Sequence, residues 1–252
     1  LTVAGNALGQ AFFSLSLGMG MLITYGSYID DDNDIISSAT LITLTDVGIA
    51  FLAGLIIFPF VFSSGIETQG GPGLIFQVFP QIFEDLGGTT GIIIGSTFFI
   101  LLSFAAITST VSLLEVPVSY LVDEFNIERK FSVWIVAAVI LSIGIPSVFS
   151  QGKSIFFSEF ITYFGAEKPV DFMQFIIDVS NDTLLPFGGF LITIFVAYVW
   201  KKKNLTEEIS KGNPNYKGSL MEKYINFSIT YICPLILGSI FLLTFLNKFF
   251  GI

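Results

Sequence analysis

Residues 9–28 read GQAFFSLSLGMGMLITYGSY and lie inside a run, residues 1–29, that contains no Asp, Glu, Lys or Arg. As one straight helix this run would be about 44 Å long, whereas the hydrocarbon core of a bilayer is about 30 Å thick. Glycine recurs in the run, and Ser14 and Ser16 lie among its apolar residues. Because glycine costs about 1 kcal/mol in a helix interior, the pattern indicates one of two structures. The helix is either interrupted within residues 12–20, or tilted with glycines that allow close packing.

Further charge-free runs follow at residues 47–66, 86–114, 131–152, 183–200 and 224–247. A membrane helix needs about 20 apolar residues, so the runs predict six crossings and an all-α multi-pass membrane protein. We expect helices at about residues 1–29, 39–64, 87–122, 131–149, 172–200 and 221–248. Residues 65–86 are expected to form an extracellular hairpin loop, because their Gly and Pro residues cannot satisfy a lipid-exposed backbone. A soluble protein with buried helices is the alternative, although buried soluble helices are usually shorter.

The composition excludes several classes of function. Only 12% of residues are charged and 53% are apolar, and the mean hydropathy is +0.81. There is no His, which rules out His-ligated zinc and Ser-His-Asp triads, and no phosphate-binding glycine loop occurs. The net charge of −9 argues against nucleic acid as a partner. The sequence therefore predicts a protein of the lipid bilayer that is not an enzyme.

The basic residues predict an orientation, since cytoplasmic loops carry the excess of Lys and Arg. Eight of the eleven fall in two alternate loops, residues 123–130 and 201–223: Arg129, Lys130, Lys201, Lys202, Lys203, Lys211, Lys217 and Lys223. We expect these two loops to be cytoplasmic and both ends of the chain to be extracellular, in the plasma membrane.

Several stretches, in the same order, resemble the neurotransmitter:sodium symporter family, which includes the bacterial leucine transporter. Residues 9–28 resemble its sixth membrane helix, DVGIAFLAGLIIFPFVF (46–62) the seventh, and GPGLIFQVFPQIF (71–83) the fourth extracellular loop. SFAAITSTVSLLEVPVSYLVDE (103–124) resembles helix eight and LLPFGGFL (184–191) helix ten. The resemblance implies a fold of two inverted five-helix repeats, with a discontinuous first helix in each. This chain would hold the second repeat and helix eleven. Since it opens on Leu1 inside an apolar stretch, we expect the missing N-terminal helices of the same protein to be its partner.

The resemblance implies a substrate pocket, whose lining would include Phe13, Ser16, Met19, Ser109 and Leu113. Phe13 would cover the substrate and Ser16 would contact its amine. Ordinary helix packing is the other interpretation of the three apolar residues.

The stretch that resembles the eighth helix of the family contains a candidate sodium site. Ala105, Thr108 and Ser109 are spaced i, i+3 and i+4, so they share one helical face. Their carbonyl and hydroxyl oxygens are suitable neutral ligands, although such hydroxyls commonly bond to their own helix. The resemblance implies that these three residues belong to a second sodium site.

Asp46 is an acidic residue within a hydrophobic stretch, which makes it a candidate functional residue. It could instead reach cytoplasmic water from a helix entrance. By resemblance it aligns with an Asn ligand of the first sodium, together with Ser14. Gln10 and Ser14 match chloride-site positions, but Ala50 replaces the serine of helix seven. The negative charge of an Asp46 carboxylate would directly offset the positive charge of the bound sodium, so chloride is not expected to be required.

Asp178 is the nearest match to the family's outer-gate aspartate, among the neighbouring Asp171 and Asp182. Glu115, at the inner end of its helix, is expected to be solvated or paired. The predicted function is sodium-coupled symport of an amino acid or related small amine by alternating access. A channel-like pore and a truncated or accessory membrane protein without transport activity are the alternatives.

Overall fold

A computed structural model describes residues 2–63, 74–152, 154–166 and 168–251. In these ranges the regular structure is helical, apart from one isolated antiparallel bridge between Ile161 and Val170. The α-helices are α1 (Thr2–Ser14), α2 (Met21–Gly26), α3 (Ile35–Ser63), α4 (Phe79–Asp85), α5 (Gly88–Phe125), α6 (Arg129–Phe149), α7 (Ile155–Ser158), α8 (Phe172–Ile177), α9 (Leu185–Ile194), α10 (Lys202–Gly212), α11 (Leu220–Phe227) and α12 (Cys233–Phe250). π-Helical segments lie at Leu74–Val78, Asp178–Leu184, Phe195–Lys201 and Ser228–Ile232.

The first predicted helix is discontinuous. Its first part is α1 and its second part is α2, and residues 15–20 between them are not helical. The backbone φ angles of Ser16, Gly18 and Gly20 are +54°, +81° and +82°, which no right-handed helix contains. Of the two structures that the sequence left open, the interrupted helix is the one observed.

Five other stretches of the described residues are long and apolar enough to cross a membrane. They are Ile35–Pro59, Gly88–Phe125, Arg129–Phe149, Phe172–Gly212 and Leu220–Phe250. The last two are composite helices, in which π-helical segments join α8, α9 and α10 and join α11 and α12. Both π-helical joints before α9 and α12 are followed by a proline, Pro186 or Pro234, near the start of the next α-helix. Proline has no backbone N–H, so the regular ladder cannot run unbroken through it.

The helix boundaries differ from the predicted ones where polar residues join a helix. The loop expected at residues 201–223 contains helix α10, and the loop at 123–130 is shortened because α5 runs to Phe125 and α6 begins at Arg129. Helix α10 is amphipathic: Thr206 and Ile209 are buried while Glu207 is exposed. Runs without charge detect only helices that are apolar on all sides, so they cannot find a helix of this kind.

The chain forms two compact units, one of residues 1–39 and 114–252 and the other of residues 40–113. The second unit has its core where Val61 meets Val78, Phe79 and Ile82, with Phe98 packed edge-on against Phe79 at 4.9 Å between ring centroids. The described part of the expected hairpin, residues 74–85, is thus helical and packs within this unit, and residues 64–73 lie outside the described ranges.

In the first unit, α9 and α12 form the most extensive helix pair. Leu185 and Leu237 are buried, and the rings of Phe187 and Phe241 are 4.8 Å apart. This pair of helices is the support against which the discontinuous helix is placed.

Candidate functional site

The break between α1 and α2 is fixed by close contact with α9. A Cβ atom added at Gly18 would lie 2.4 Å from the carbonyl oxygen of Leu185 and 2.9 Å from the backbone nitrogen of Gly189. Position 18 therefore requires glycine for two reasons: the backbone φ is positive, and there is no room for a side chain.

The helical ladder stops on both sides of the break. The amide of Leu17 donates to Phe12 at 2.9 Å, five residues back, and the amide of Ser16 donates to Phe13 at 3.0 Å, three residues back. The ladder of α2 starts with the bond from Thr24 to Gly20 at 2.9 Å. Residues 15–20 thus form an unwound segment, the kind of backbone that offers carbonyl oxygens to a cation within a membrane.

Three predicted substrate residues lie at this break. Phe13 is at the end of α1 with 47% of its surface exposed, and Ser16 and Met19 are half-buried within the unwound segment. A positive φ is uncommon for serine and such residues concentrate at functional sites, so the conformation of Ser16 is consistent with a binding role. Ser14, a predicted sodium ligand, is the last residue of α1 and is exposed.

A cavity of about 280 Å³ adjoins the break in the same unit. Residues of the unwound segment line it together with α9 and α12, and its few polar contributors are Ser16, Thr193 and Cys233. Cys233, the only cysteine of the chain, is half-buried there.

The other predicted ligands lie on α3 and α5 in the second unit. Ala105, Thr108, Ser109 and Leu113 are all exposed on α5, and the Thr108 hydroxyl donates to the Ala105 carbonyl at 2.8 Å. This is the bond to its own helix that threonine commonly makes. It also directs the hydroxyl proton along the helix, which leaves the lone pairs of the same oxygen for another partner.

Asp46 is half-buried on α3, one helical turn before the exposed Ala50. Phe13, Ser14, Ser16 and Met19 therefore belong to one compact unit, and Asp46, Ala105, Thr108, Ser109 and Leu113 belong to the other. The structure places the first group at the end of α1 and in the unwound segment, and the second group on α3 and α5.

The predicted gate residue, Asp178, is completely buried at the start of the π-helical segment of the Phe172–Gly212 helix. Its Oδ1 accepts from Gln174 at 2.7 Å and pairs with the Lys248 ammonium at 2.7 Å. Its Oδ2 accepts from the hydroxyl of Tyr163 at 2.9 Å. Burial and this carboxylate raise the pKa of Tyr163, so the phenol stays protonated and acts as the donor.

Sequence reasoning missed Lys248 and Tyr163 as partners of Asp178. They are separated from it in sequence by 70 and 15 residues, and a lysine beside an apolar run is an ordinary feature of a helix end. No pattern in a single sequence connects them.

A second polar cluster lies in the first unit, around Glu115. Glu115 accepts from the hydroxyl of Tyr28 at 2.7 Å and pairs with Arg129 at 2.5 Å, and 15% of its side chain is exposed. The expectation that Glu115 is paired is met. Because Tyr28 follows α2, this cluster connects the C-terminal end of the discontinuous helix to α5 and α6.

A third cluster joins the acidic loop after α2 to the end of α10. Lys211 pairs with Asp31 at 3.1 Å and Asn213 donates to Asp34 at 3.1 Å. Asp34 also accepts from the Ser37 hydroxyl at 2.7 Å, and that bond lowers the pKa of its carboxyl group. Asp34 thereby caps the first turn of α3.

Comparison with known proteins decides to which family the chain belongs. A profile described as "Sodium:neurotransmitter symporter family" matches residues 2–249. The chain belongs to the sodium:neurotransmitter symporter family. The predicted resemblance and the all-α multi-pass fold of the leucine-transporter type, with a discontinuous first helix, are thereby confirmed.

The relatives of this chain are named as transporters. It is 36% identical to the uncharacterized sodium-dependent transporter YhdH of Bacillus subtilis over 94% of this chain and 50% of that protein. It is 31% identical to an uncharacterized sodium-dependent transporter of Methanocaldococcus jannaschii, over 82% of this chain and 40% of that protein. Such relatives confirm that the family is one of transporters and not of enzymes.

The symporter fold also matches a solved structure, that of MhsT in complex with L-phenylalanine. The TM-score is 0.83 at 37% identity, covering 96% of this chain and 52% of the MhsT chain. The chain thus spans about half the length of the relatives that it matches.

Proposed function

We propose that the complete protein is a sodium-coupled symporter of an amino acid or a related small amine, in which this chain supplies the second repeat and helix eleven. The unwound segment at residues 15–20 carries the proposal. A gap in a membrane helix leaves backbone oxygens that must be satisfied inside the bilayer, and a bound cation satisfies them. Membership in a family of sodium symporters supports the choice of Na⁺.

Two sodium sites are proposed. The first uses the hydroxyl and carbonyl oxygens of Ser14 with the Asp46 carboxylate, and the second uses the Ala105 carbonyl with the hydroxyls of Thr108 and Ser109. Sodium ions at these sites would fix the unwound segment. The substrate would then complete the pocket, and rocking of one helix bundle against the remaining helices would expose it to the other side of the membrane.

The proposed substrate pocket is formed by Phe13, Ser16, Met19, Ser109 and Leu113. Phe13 would cover the substrate, and Ser16 would bind its amine. L-Phenylalanine is the first substrate to test, because the 37% identical MhsT structure contains it. Met19 is a flexible side chain that adapts to varied shapes, and is suited to an apolar or aromatic substrate.

The test is uptake by the complete protein reconstituted in lipid vesicles. An inward sodium gradient is expected to drive saturable accumulation of at least one amino acid from a panel that includes L-phenylalanine. A potassium gradient of the same size is the control. No sodium-dependent uptake of any amino acid or small amine by correctly folded protein would contradict the proposal. Uptake without saturable counterflow would support the channel-like pore instead.

Chloride independence is proposed from Asp46 and Ala50. The Asp46 carboxylate supplies a negative charge next to the proposed cation, where a bound chloride would otherwise be needed. Replacement of chloride by gluconate is expected to leave sodium-dependent uptake unchanged. Loss of uptake in gluconate would refute this part of the proposal without affecting sodium coupling.

The proposed orientation places residues 201–223 in the cytoplasm of a cell whose plasma membrane holds the protein. In a Cys233→Ser background, a cysteine introduced at the exposed Lys217 is expected to react with an impermeant maleimide only after the cells are opened. Labelling in intact cells would reverse the orientation.

A further inference from the structure

The buried carboxylate of Asp178 shares its cation with a second carboxylate. The Lys248 ammonium lies 2.7 Å from Asp178 and 2.7 Å from Asp182. The two acidic residues are four positions apart, at the start of and within the π-helical segment, and Lys248 comes from α12. We call Asp178, Asp182 and Lys248 the outer clamp. It connects the two composite helices of the first unit.

Exposure increases stepwise across the outer clamp. The exposed fraction of the side chain is 1% for Asp178, 32% for Lys248 and 37% for Asp182. Lys248 is therefore between a carboxylate that water does not reach and one that it does. If the ammonium left Asp178, it would keep an ion pair with Asp182, so its charge would never be unpaired.

Asp178 also has neutral donors that would remain without Lys248. Gln174 and Tyr163 donate to its two oxygens, and its own carbonyl accepts from Thr183 at 2.9 Å. π-Helical segments are rare and recur at functional sites. The site thus combines a carboxylate held by neutral groups, a cation shared between two carboxylates and a second acceptor for that cation.

We propose that Lys248 is a positioning residue for the outer gate, passing between Asp178 and Asp182 as the gate works. While Lys248 pairs with both carboxylates, its ammonium offsets the negative charge of Asp178, and Asp178 stays buried. When Asp178 turns to another cation, Lys248 remains with Asp182 and the α12 helix stays attached. This inference rests on the proposed transport function and on the gate role of Asp178.

The first test compares Asp182→Asn with Lys168→Met in the complete protein. Lys168 is an exposed loop residue outside the clamp, so its variant is the matched control. Asp182→Asn keeps the Asp178–Lys248 pair and removes only the second acceptor. The maximal uptake rate is expected to fall about two- to fivefold with KM unchanged, which is the size of one partly exposed ion pair. A rate equal to that of the control would overturn the proposal.

The second test uses the charge of Lys248. Within the described part of the chain, the charged and titratable groups that face Asp178 are Lys248, Asp182 and Tyr163. In Lys248→Met the buried carboxylate has no counter-ion, so uptake is expected to fall about tenfold or more at pH 7.5. The double variant Lys248→Met with Asp178→Asn should recover part of the rate, because it removes the unpaired buried carboxylate, and Lys248→Arg should behave like the wild type.

These tests separate the clamp from the transport proposal. If the wild type fails to take up any of the panel in a sodium gradient, the proposed function is wrong and the gate role falls with it. If the wild type is active and Lys248→Met has the wild-type rate, only the clamp is wrong. Should Lys248→Met not fold, Asp182→Asn still decides the question, since it leaves the buried pair intact.

Discussion

The unwound segment at residues 15–20 and the continuous stretch 105–113 of α5 present oxygen atoms in two different ways. In the first, the backbone itself leaves the helix, and three residues adopt positive φ angles. In the second, the helix stays regular, and threonine and serine hydroxyls project from one exposed face. Sodium ligands were predicted at Ser14, directly before the first stretch, and at Ala105, Thr108 and Ser109 within the second, yet only the first stretch is strained.

This difference teaches where each stretch should be sensitive to mutation. A broken helix gives up hydrogen bonds and needs contacts from outside to hold its shape, which here come from Leu185 and Gly189 of α9. A regular helix holds its own shape, so its hydroxyls can be removed without structural loss. Mutations at the break should therefore lower the stability of the folded protein, whereas mutations on the exposed face of α5 should change only the affinity for the ion.

Gly18→Ala is expected to have the largest effect. The added methyl group would meet the Leu185 carbonyl at 2.4 Å in a backbone with φ of +81°, so we expect a loss of about 3 kcal/mol or more. The thermal midpoint of the purified complete protein measures this loss. Gly26→Ala in α2 is the matched control, because nothing lies within 4 Å of its Cβ position. Equal midpoints for the two variants would mean that the break is not fixed by α9.

Thr108→Val is expected to have an intermediate effect of a different kind. It removes one proposed sodium ligand from a regular helix, so sodium affinity in uptake should fall about tenfold, or about 1.4 kcal/mol. The unfolding free energy should change by no more than about 0.5 kcal/mol, since the residue is exposed.

Thr110→Val on the same helix is the control for this prediction. Its hydroxyl donates to the Ala106 carbonyl at 2.7 Å, the same kind of bond as that of Thr108, but it is not among the proposed ligands. A sodium affinity that falls equally in both variants would show that the loss is not specific to the proposed site.

Tyr28→Phe is expected to have the smallest effect. It removes the bond from the Tyr28 hydroxyl to Glu115 and leaves the Glu115–Arg129 pair, so only one hydrogen bond at an exposed position is lost. The thermal midpoint should fall slightly, and less than for Gly18→Ala. Tyr120→Phe, at an exposed position of α5, is the control. A larger loss for Tyr28→Phe than for Gly18→Ala would place the main support of the discontinuous helix after α2.

The sequence predicted those features of the fold that depend on residues close together in the chain. The length of the first charge-free run and its glycines reduced the possibilities to two, and the five apolar helices follow from hydropathy alone. It was less informative about helix ends: α10 carries Lys and Glu on its exposed side, so a search for apolar runs treats it as a loop.

The side chains that pair with Asp178 and Glu115 could not be predicted from the sequence, for a different reason. Asp178 pairs with Lys248 across 70 residues, and Glu115 receives Tyr28 from 87 residues away. Contacts of that kind depend on how helices pack, and no local propensity contains them. The π-helical segments were missed for a similar reason, since their composition resembles that of the α-helices on either side.

The single thiol of Cys233 lies beside the cavity of about 280 Å³ that borders the unwound segment. A fluorophore or spin label attached to this chain through sulfur would therefore have one possible attachment point, and that point adjoins the break. Spectroscopy could then follow the rearrangement of the break in real time, without first engineering a background free of other cysteines in this part of the molecule.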